Sequence, residues 1–216
     1  MIISISGMDN AGKSTQCELL NRMYPNTFPL ILHMKDMPAF KNGNHDEKWW
    51  FEPGNEEDFC RVIFKSLQER IELANAYNEK VVLFDKGTDF YDARVISTLI
   101  VKGMTFKDAF ELMNSIKKEY IQEDHEDMKL FLESGRHRRR DLDKSNAEDL
   151  RYNTYIEINK LILKQMHIEY VHVPANDIHI VTSTILGCID YNLEGKCDNL
   201  WNQKSLIKKM NQDNSL

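Results

Sequence analysis

No run of 18 consecutive apolar residues occurs in this chain, so nothing in it reads as a helix long enough to span a bilayer. The opening residues, MIISIS, have no positive flank and no small-residue cleavage pattern, so no signal peptide is expected. Positive charge is in deficit: 28 Lys and Arg against 34 Asp and Glu leave a net −6, and the pI is about 5.7. That balance argues against a nonspecific DNA or RNA binder, which needs a basic face. It still allows a small acidic ligand in a local basic pocket. Cysteine is sparse, and Cys17, Cys60, Cys188 and Cys197 show no C-x-x-C spacing. They read as reduced thiols of a cytoplasmic protein, not as a disulfide frame or a zinc site. The histidines, His33 and His125 among them, also lack metal-ligand spacing.

What is present is a globular composition: 42% hydrophobic and 29% charged residues in 216. At roughly 150 residues per domain, one domain with a tail is expected, spanning 1–189 and 190–216. The pattern alternates. Apolar strand candidates run over Met1–Ser6, Phe28–Met34, Val81–Phe84, Met128–Leu132 and Ile168–Val173. Helical periodicity covers Lys13–Met23, Glu56–Asn78, Asp89–Lys102, Thr105–Gln122, Asn146–Met166 and Asp177–Ile189. Lys35–Gly54 reads as a polar loop, unusually aromatic at Trp49, Trp50 and Phe51. A short helix is expected near Leu200–Met210. Alternating strands and helices predict an α/β fold: a five-stranded parallel sheet flanked by helices in three layers. Ligands then bind beyond the carboxyl ends of the strands.

The most specific signal is Gly7-Met-Asp-Asn-Ala-Gly12-Lys13-Ser14, a complete G-x-x-x-x-G-K-[ST] between a strand and a helix. Gly7, Asn10, Ala11, Gly12 and Thr15 belong to a backbone that wraps phosphate, aided by the helix N-terminus. Lys13 reaches the terminal phosphates and Ser14 ligates Mg²⁺. Asp85 closes the apolar strand VVLF and suits a Walker-B role on the same Mg²⁺; an N-cap is the structural alternative. Outside the loop itself no N-K-x-D or D-x-x-G occurs, which removes a GTPase and leaves a small-molecule kinase as the simplest reading.

Around this loop stand candidates for the phosphoryl acceptor. Lys35 and Asp36 follow the second strand, either as acceptor contacts or as a solvated pair. Arg70 lies on the apolar stripe of the long helix, where it needs a partner such as phosphate. Arg136, Arg138, Arg139 and Arg140, with His137, form a loop expected to be a mobile lid at about 134–145 that closes over the nucleotide. Phe90, Tyr91 and Arg94 follow Asp85 closely enough to face an acceptor, although core packing competes for the two rings.

Taken together, these motifs resemble the thymidylate kinase family of P-loop nucleoside monophosphate kinases. Gly7–Thr15 reads GMDNAGKST, close to the family's G-x-D-x-A-G-K-S-T. Lys35-Asp36-Met37-Pro38 is similar to its Arg-Glu-Pro, Arg70 to its helix arginine, and Arg136–Tyr155 to its lid and following helix. The resemblance implies ATP and Mg²⁺, and a nucleoside 5′-monophosphate as acceptor. It implies that Asp9 touches the acceptor sugar, that Lys86 replaces an arginine holding the acceptor phosphate, and that lid arginines such as Arg138 and Arg139 are catalytic while Arg136 meets the donor. The family's Asp-Arg-Tyr stands here as Asp85-Lys86-Gly87. Its base-stacking aromatic is Ser66, with Phe64 nearby, and its tyrosine that crowds the 2′-position falls in the altered stretch Thr88–Arg94. The donor half is therefore kept and the acceptor half rebuilt. A nucleoside kinase with Asp36 as base, or a non-catalytic nucleotide-binding module, remain the alternatives. The tail leaves a homodimer or another partner open.

Overall fold

In a computed structural model the structure describes residues 1–9, 11–43, 45, 47–77, 80–123, 125–133, 147–166, 168, 170–174 and 178–194. Among these, five parallel strands form one sheet in the order β2-β3-β1-β4-β5. They are β1 Ile2–Gly7, β2 Leu30–His33, β3 Val82–Asp85, β4 Met128–Glu133 and β5 Val171–Pro174. β1 is fully buried and central, which is why it reads as an unbroken apolar run with only small polar residues. Ile3 and Ile5 face a core built with α1 (Lys13–Met23) and α8 (Ile178–Glu194). The opposite core lies under α4 (Glu56–Asn75), α5 (Thr88–Val101), α6 (Phe106–Tyr120) and α7 (Ala147–Gln165). The expected three-layer α/β architecture is what the chain adopts. No described helix is long and apolar enough to cross a membrane.

One expectation needs correction. Lys35–Gly54 is not a loop: it holds a 3₁₀ turn at Met34–Asp36, α2 at Pro38–Lys41 and α3 at Glu47–Phe51. Pro38 opens α2, where its fixed φ suits a first turn. The buried ammonium of Lys102, at the C-terminus of α5, stabilises α3. It donates to the carbonyls of Trp49 (3.1 Å) and Glu52 (2.8 Å) and to Asn55 Oδ1. Trp49 and Trp50 pack against Phe59 of α4 at 5.0 and 5.2 Å between ring centroids. The last helix continues to Glu194, past the expected boundary at 189; the lid span with Arg136, His137, Arg138, Arg139 and Arg140, residue Asn10, and residues 195–216 with the helix expected near Leu200–Met210 lie outside the described residues.

Parallel pairing brings the carboxyl ends of β1, β2 and β3 to one rim. His33 is in register with Asp85, and Ile5 with Asp85 from the other side. Gly7 pairs with Leu132 at the end of β4.

Candidate active site

The loop after β1 is tight for a steric reason. Gly7 has φ 147°, and a Cβ there would stand 2.8 Å from the Leu132 carbonyl oxygen. Gly12, at φ 83°, is left-handed immediately before α1. The Ala11 N–H donates to the Met8 carbonyl (3.1 Å), and Lys13 Nζ donates to the same oxygen (2.8 Å). Lys13 is buried, and that burial pulls its pKa below the ordinary lysine value. Gly7, Ala11, Gly12, Lys13, Ser14 and Thr15 thus form one cradle at the N-terminus of α1, with Ser14 and Thr15 exposed to solvent.

Asp85 faces that cradle. Its Oδ2 accepts from Ser14 Oγ at 2.7 Å and lies 3.0 Å from His33 Nδ1. Burial alone would raise this carboxyl, but the His33 and Ser14 hydrogen bonds outweigh it and hold the pKa at about 2. Its Oδ1 is buried with no hydrogen-bond partner among the described residues. A spare carboxylate oxygen beside a serine hydroxyl is the hard-oxygen set that Mg²⁺ favours. The donor set therefore fits the metal. His33 escaped sequence reasoning because it belongs to no ligand pattern; the signal was its place at the end of the strand that pairs with β3.

A second cluster is drawn from five places in the chain. Asp9 Oδ1 meets Arg94 Nη1 at 3.3 Å and Lys86 Nζ at 3.5 Å. Asp9 Oδ2 accepts from Tyr152 Oη at 3.0 Å. Burial opposes ionisation of Asp9, but the charges of Arg94, Lys86 and Lys13 hold its carboxyl well below the usual range. Lys86 has φ 76°, rare for a residue with a Cβ. Burial, and then Arg94, push its ammonium down to about 7. Arg70 is fully buried on α4, with its guanidinium 3.9 Å from the centre of the Phe84 ring. Nη1 donates to the Lys86 carbonyl (2.7 Å), while Nε and Nη2 have no partner among the described residues.

The other candidates separate. Tyr91 is buried with its ring 5.7 Å from the Arg70 guanidinium, forming a wall of this cluster. Phe90 turns away and packs on Phe131 of β4 at 6.4 Å, so its place is core. Lys35 and Asp36 are exposed on the 3₁₀ turn and join neither cluster. Ser66 is buried and bonds back to the Val62 carbonyl (2.7 Å). Trp50 belongs to the aromatic cluster that the sequence marks in Lys35–Gly54, and Tyr155 closes the stretch similar to the family's lid and following helix; Tyr152 carries no local signal, because an aromatic residue at helical spacing looks like core.

No protein-family model matches this sequence, and no curated protein sequence does. Solved structures do. A thymidylate kinase from Ehrlichia chaffeensis aligns over 88% of this chain and 98% of its own, at TM-score 0.56 and 14% identity. The chain has a thymidylate kinase-like P-loop kinase fold. A thymidylate kinase from Candida albicans (TM-score 0.54, 19% identity, 88% and 91% covered) shares it. So does a deoxyadenosine kinase from M. mycoides, solved with the product dCMP and a flexible dCDP (TM-score 0.54, 15% identity, 88% and 100% covered).

Within this kinase fold, Gly87 has a local cause. A Cβ there would stand 2.7 Å from Ser4 Oγ and 2.5 Å from Glu126 Oε2. The Gly87 N–H donates to Ser6 Oγ (2.9 Å), and the Thr88 N–H to Glu126 Oε1 (2.5 Å). Ser4, Ser6 and Glu126 occupy the room that the aromatic of an Asp-Arg-Tyr sequence would require.

Proposed function

We propose that this protein is an ATP-dependent kinase of a nucleoside 5′-monophosphate. The observation that supports the reading is a pair of groupings: Ser14 bonded to Asp85 on the loop that carries Lys13, and Lys86 beside Asp9 with Arg70 bonded to the Lys86 carbonyl. The first suits a donor triphosphate with its metal. The second presents cations with unspent donors to an acceptor phosphate.

Ser14 and Asp85 are the residues that would hold Mg²⁺, which when bound neutralises charge on the donor phosphates. Lys13 and the backbone N–H groups at the start of α1 hold the donor and stabilise charge on the moving phosphoryl group. His33 fixes the orientation of Asp85. Lys86 and Arg70 hold the acceptor phosphate in line, and Asp9 the acceptor sugar. Arg138 or Arg139 would complete the charge stabilisation from the lid, with Arg136 on the donor. A phosphate acceptor is already ionised near neutral pH, so positioning and electrostatics suffice without a strong base.

The likeness to a deoxyadenosine kinase keeps a second reading in play, a nucleoside kinase with a hydroxyl acceptor. That reaction calls for a carboxylate base at the acceptor. Asp36, the residue sequence reasoning offered for that part, is exposed on its turn. The deciding measurement is conversion of ATP to ADP with Mg²⁺ against all common ribo- and deoxyribonucleoside 5′-monophosphates and their parent nucleosides. Turnover confined to monophosphates is expected. Turnover confined to nucleosides establishes the second reading, and silence with ATP still bound establishes a non-catalytic nucleotide binder.

A further inference from the structure

Asp9 and Arg94 are fixed as a pair yet remain open to a ligand. The Arg94 guanidinium carbon stands 5.4 Å from the centre of the Trp50 ring and 5.5 Å from that of Tyr155. These contacts come from α3 and α7 and hold the planar group by its faces. Its Nη1 meets Asp9, and its Nε is buried with no partner among the described residues. The side chains of Asp9, Lys86 and Arg94 are still 26%, 20% and 13% exposed, so this corner is reachable.

The chemistry of the corner selects what can sit there. A carboxylate at its centre repels a second phosphate. Lys86 and Arg94 on either side repel a cation. A neutral group that both donates and accepts satisfies all three. Two adjacent hydroxyls do so best: each O–H donates to an Asp9 oxygen, and each hydroxyl oxygen accepts from the Arg94 fork or Lys86. The position agrees, because Asp9 lies 3.5 Å from Lys86 Nζ. An acceptor phosphate on Lys86 leaves its sugar beside Asp9.

The geometry points to a vicinal diol held by Asp9 and Arg94, so that the acceptor is a ribonucleotide in preference to a 2′-deoxyribonucleotide. The inference rests on the monophosphate reading above and specifies its sugar. Arg94 is then a specificity-determining residue: without the 2′-hydroxyl the guanidinium beside Asp9 loses an acceptor, and such a loss discriminates strongly.

The test is calorimetric binding, without ATP, of a nucleoside 5′-monophosphate and its 2′-deoxy and 3′-deoxy analogues, for the base that binds best. Each missing hydroxyl is expected to weaken binding about 10- to 100-fold. Equal or tighter binding of the 2′-deoxy analogue overturns the diol and leaves the kinase reading standing. Failure of every monophosphate to bind overturns the acceptor reading itself. The wild-type comparison needs no variant. Arg94→Lys, which keeps a cation beside Asp9 but loses the fork, then assigns the effect. It should bring the ribo-to-deoxy ratio close to one while binding persists; an unchanged ratio in a folded variant removes Arg94 from the diol.

Discussion

Under the proposed kinase reading, the donor and acceptor halves of this site are held together by different means. The donor half centres on one stretch of chain, Gly7–Thr15, where Gly7 stands at a steric limit against Leu132, and Asp85 joins it through Ser14. The acceptor half collects Asp9, Arg70, Lys86, Arg94 and Tyr152 from five places in the chain. Backbone chemistry tolerates little change in residue type, because the glycines and the lysine are what wrap phosphate. Side-chain chemistry can be rebuilt one residue at a time around an unchanged loop. The sharpest break between the halves is Lys13→Ala. Turnover should fall at least about 10²- to 10³-fold, the usual cost of one preorganised charge-stabilising donor. Circular dichroism should show an intact fold, since among the described residues the Lys13 ammonium bonds only the loop's own carbonyl at Met8. Near-normal turnover would remove the loop from catalysis.

The next effect belongs to the acceptor half. Arg70 is a fully buried cation with two N–H groups unpartnered among the described residues. Burial without a matched anion lowers its pKa and costs folding free energy. Arg70→Leu should therefore raise the acceptor's KM about 100-fold, leave the KM of ATP nearly unchanged, and not lower the melting temperature. A large fall in melting temperature would make Arg70 a structural strut, with its bond to the Lys86 carbonyl as its role.

Gly87 tests whether the rebuilt half can be reversed. Gly87→Tyr restores an aromatic after Asp85-Lys86, into space that Ser4 and Glu126 fill. Overpacking of this kind costs about 1–3 kcal/mol, or roughly 2–4 °C of melting temperature per kcal/mol at this chain length. Gly87→Ala should show a smaller loss, partly recovered by Ser4→Gly. An unchanged melting temperature would show that the neighbouring side chains yield freely.

Most of the sheet and the long helices were legible because burial imposes a period. Element ends moved by up to five residues: β2 begins at Leu30 instead of Phe28, α4 stops at Asn75 instead of Asn78, and α8 runs on to Glu194 instead of Ile189. α2 and α3 were not legible. They are single turns fixed by tertiary contacts, with Lys102 holding α3 from 47 residues or more away in sequence. The site followed the same rule. The loop, Asp85 and Arg70 were readable because each carries its own local signal. His33, Tyr152 and Trp50 acquire meaning only through a partner, by register with β3, by the approach of α7 to Asp9, and by the Arg94 cation above a ring. Phe90 and Tyr91 are adjacent and chemically alike, yet the helix sends one to Phe131 and the other to Arg70.

The smallest effect concerns the scaffold that holds the acceptor half. Asp92, two residues before Arg94, is buried on α5 and lies 2.5 Å from Lys117 on α6. Burial raises its carboxyl pKa to about 6; Lys117 opposes that rise, while Asp89 and Glu126 add to it. An acid whose pKa is higher folded than unfolded holds its proton more tightly in the folded state. Its stabilising contribution is full below the unfolded value near 4 and is lost as the pH rises through about 6. Asp92→Asn cannot titrate. Thermal unfolding across this range should therefore show the wild type losing stability relative to Asp92→Asn between pH 4 and pH 6. A gap that stays constant across the range would mean that Lys117 keeps Asp92 ionised throughout. A gap that opens, with the acceptor's KM still shared by the two proteins, would separate the scaffold's proton from the site's chemistry.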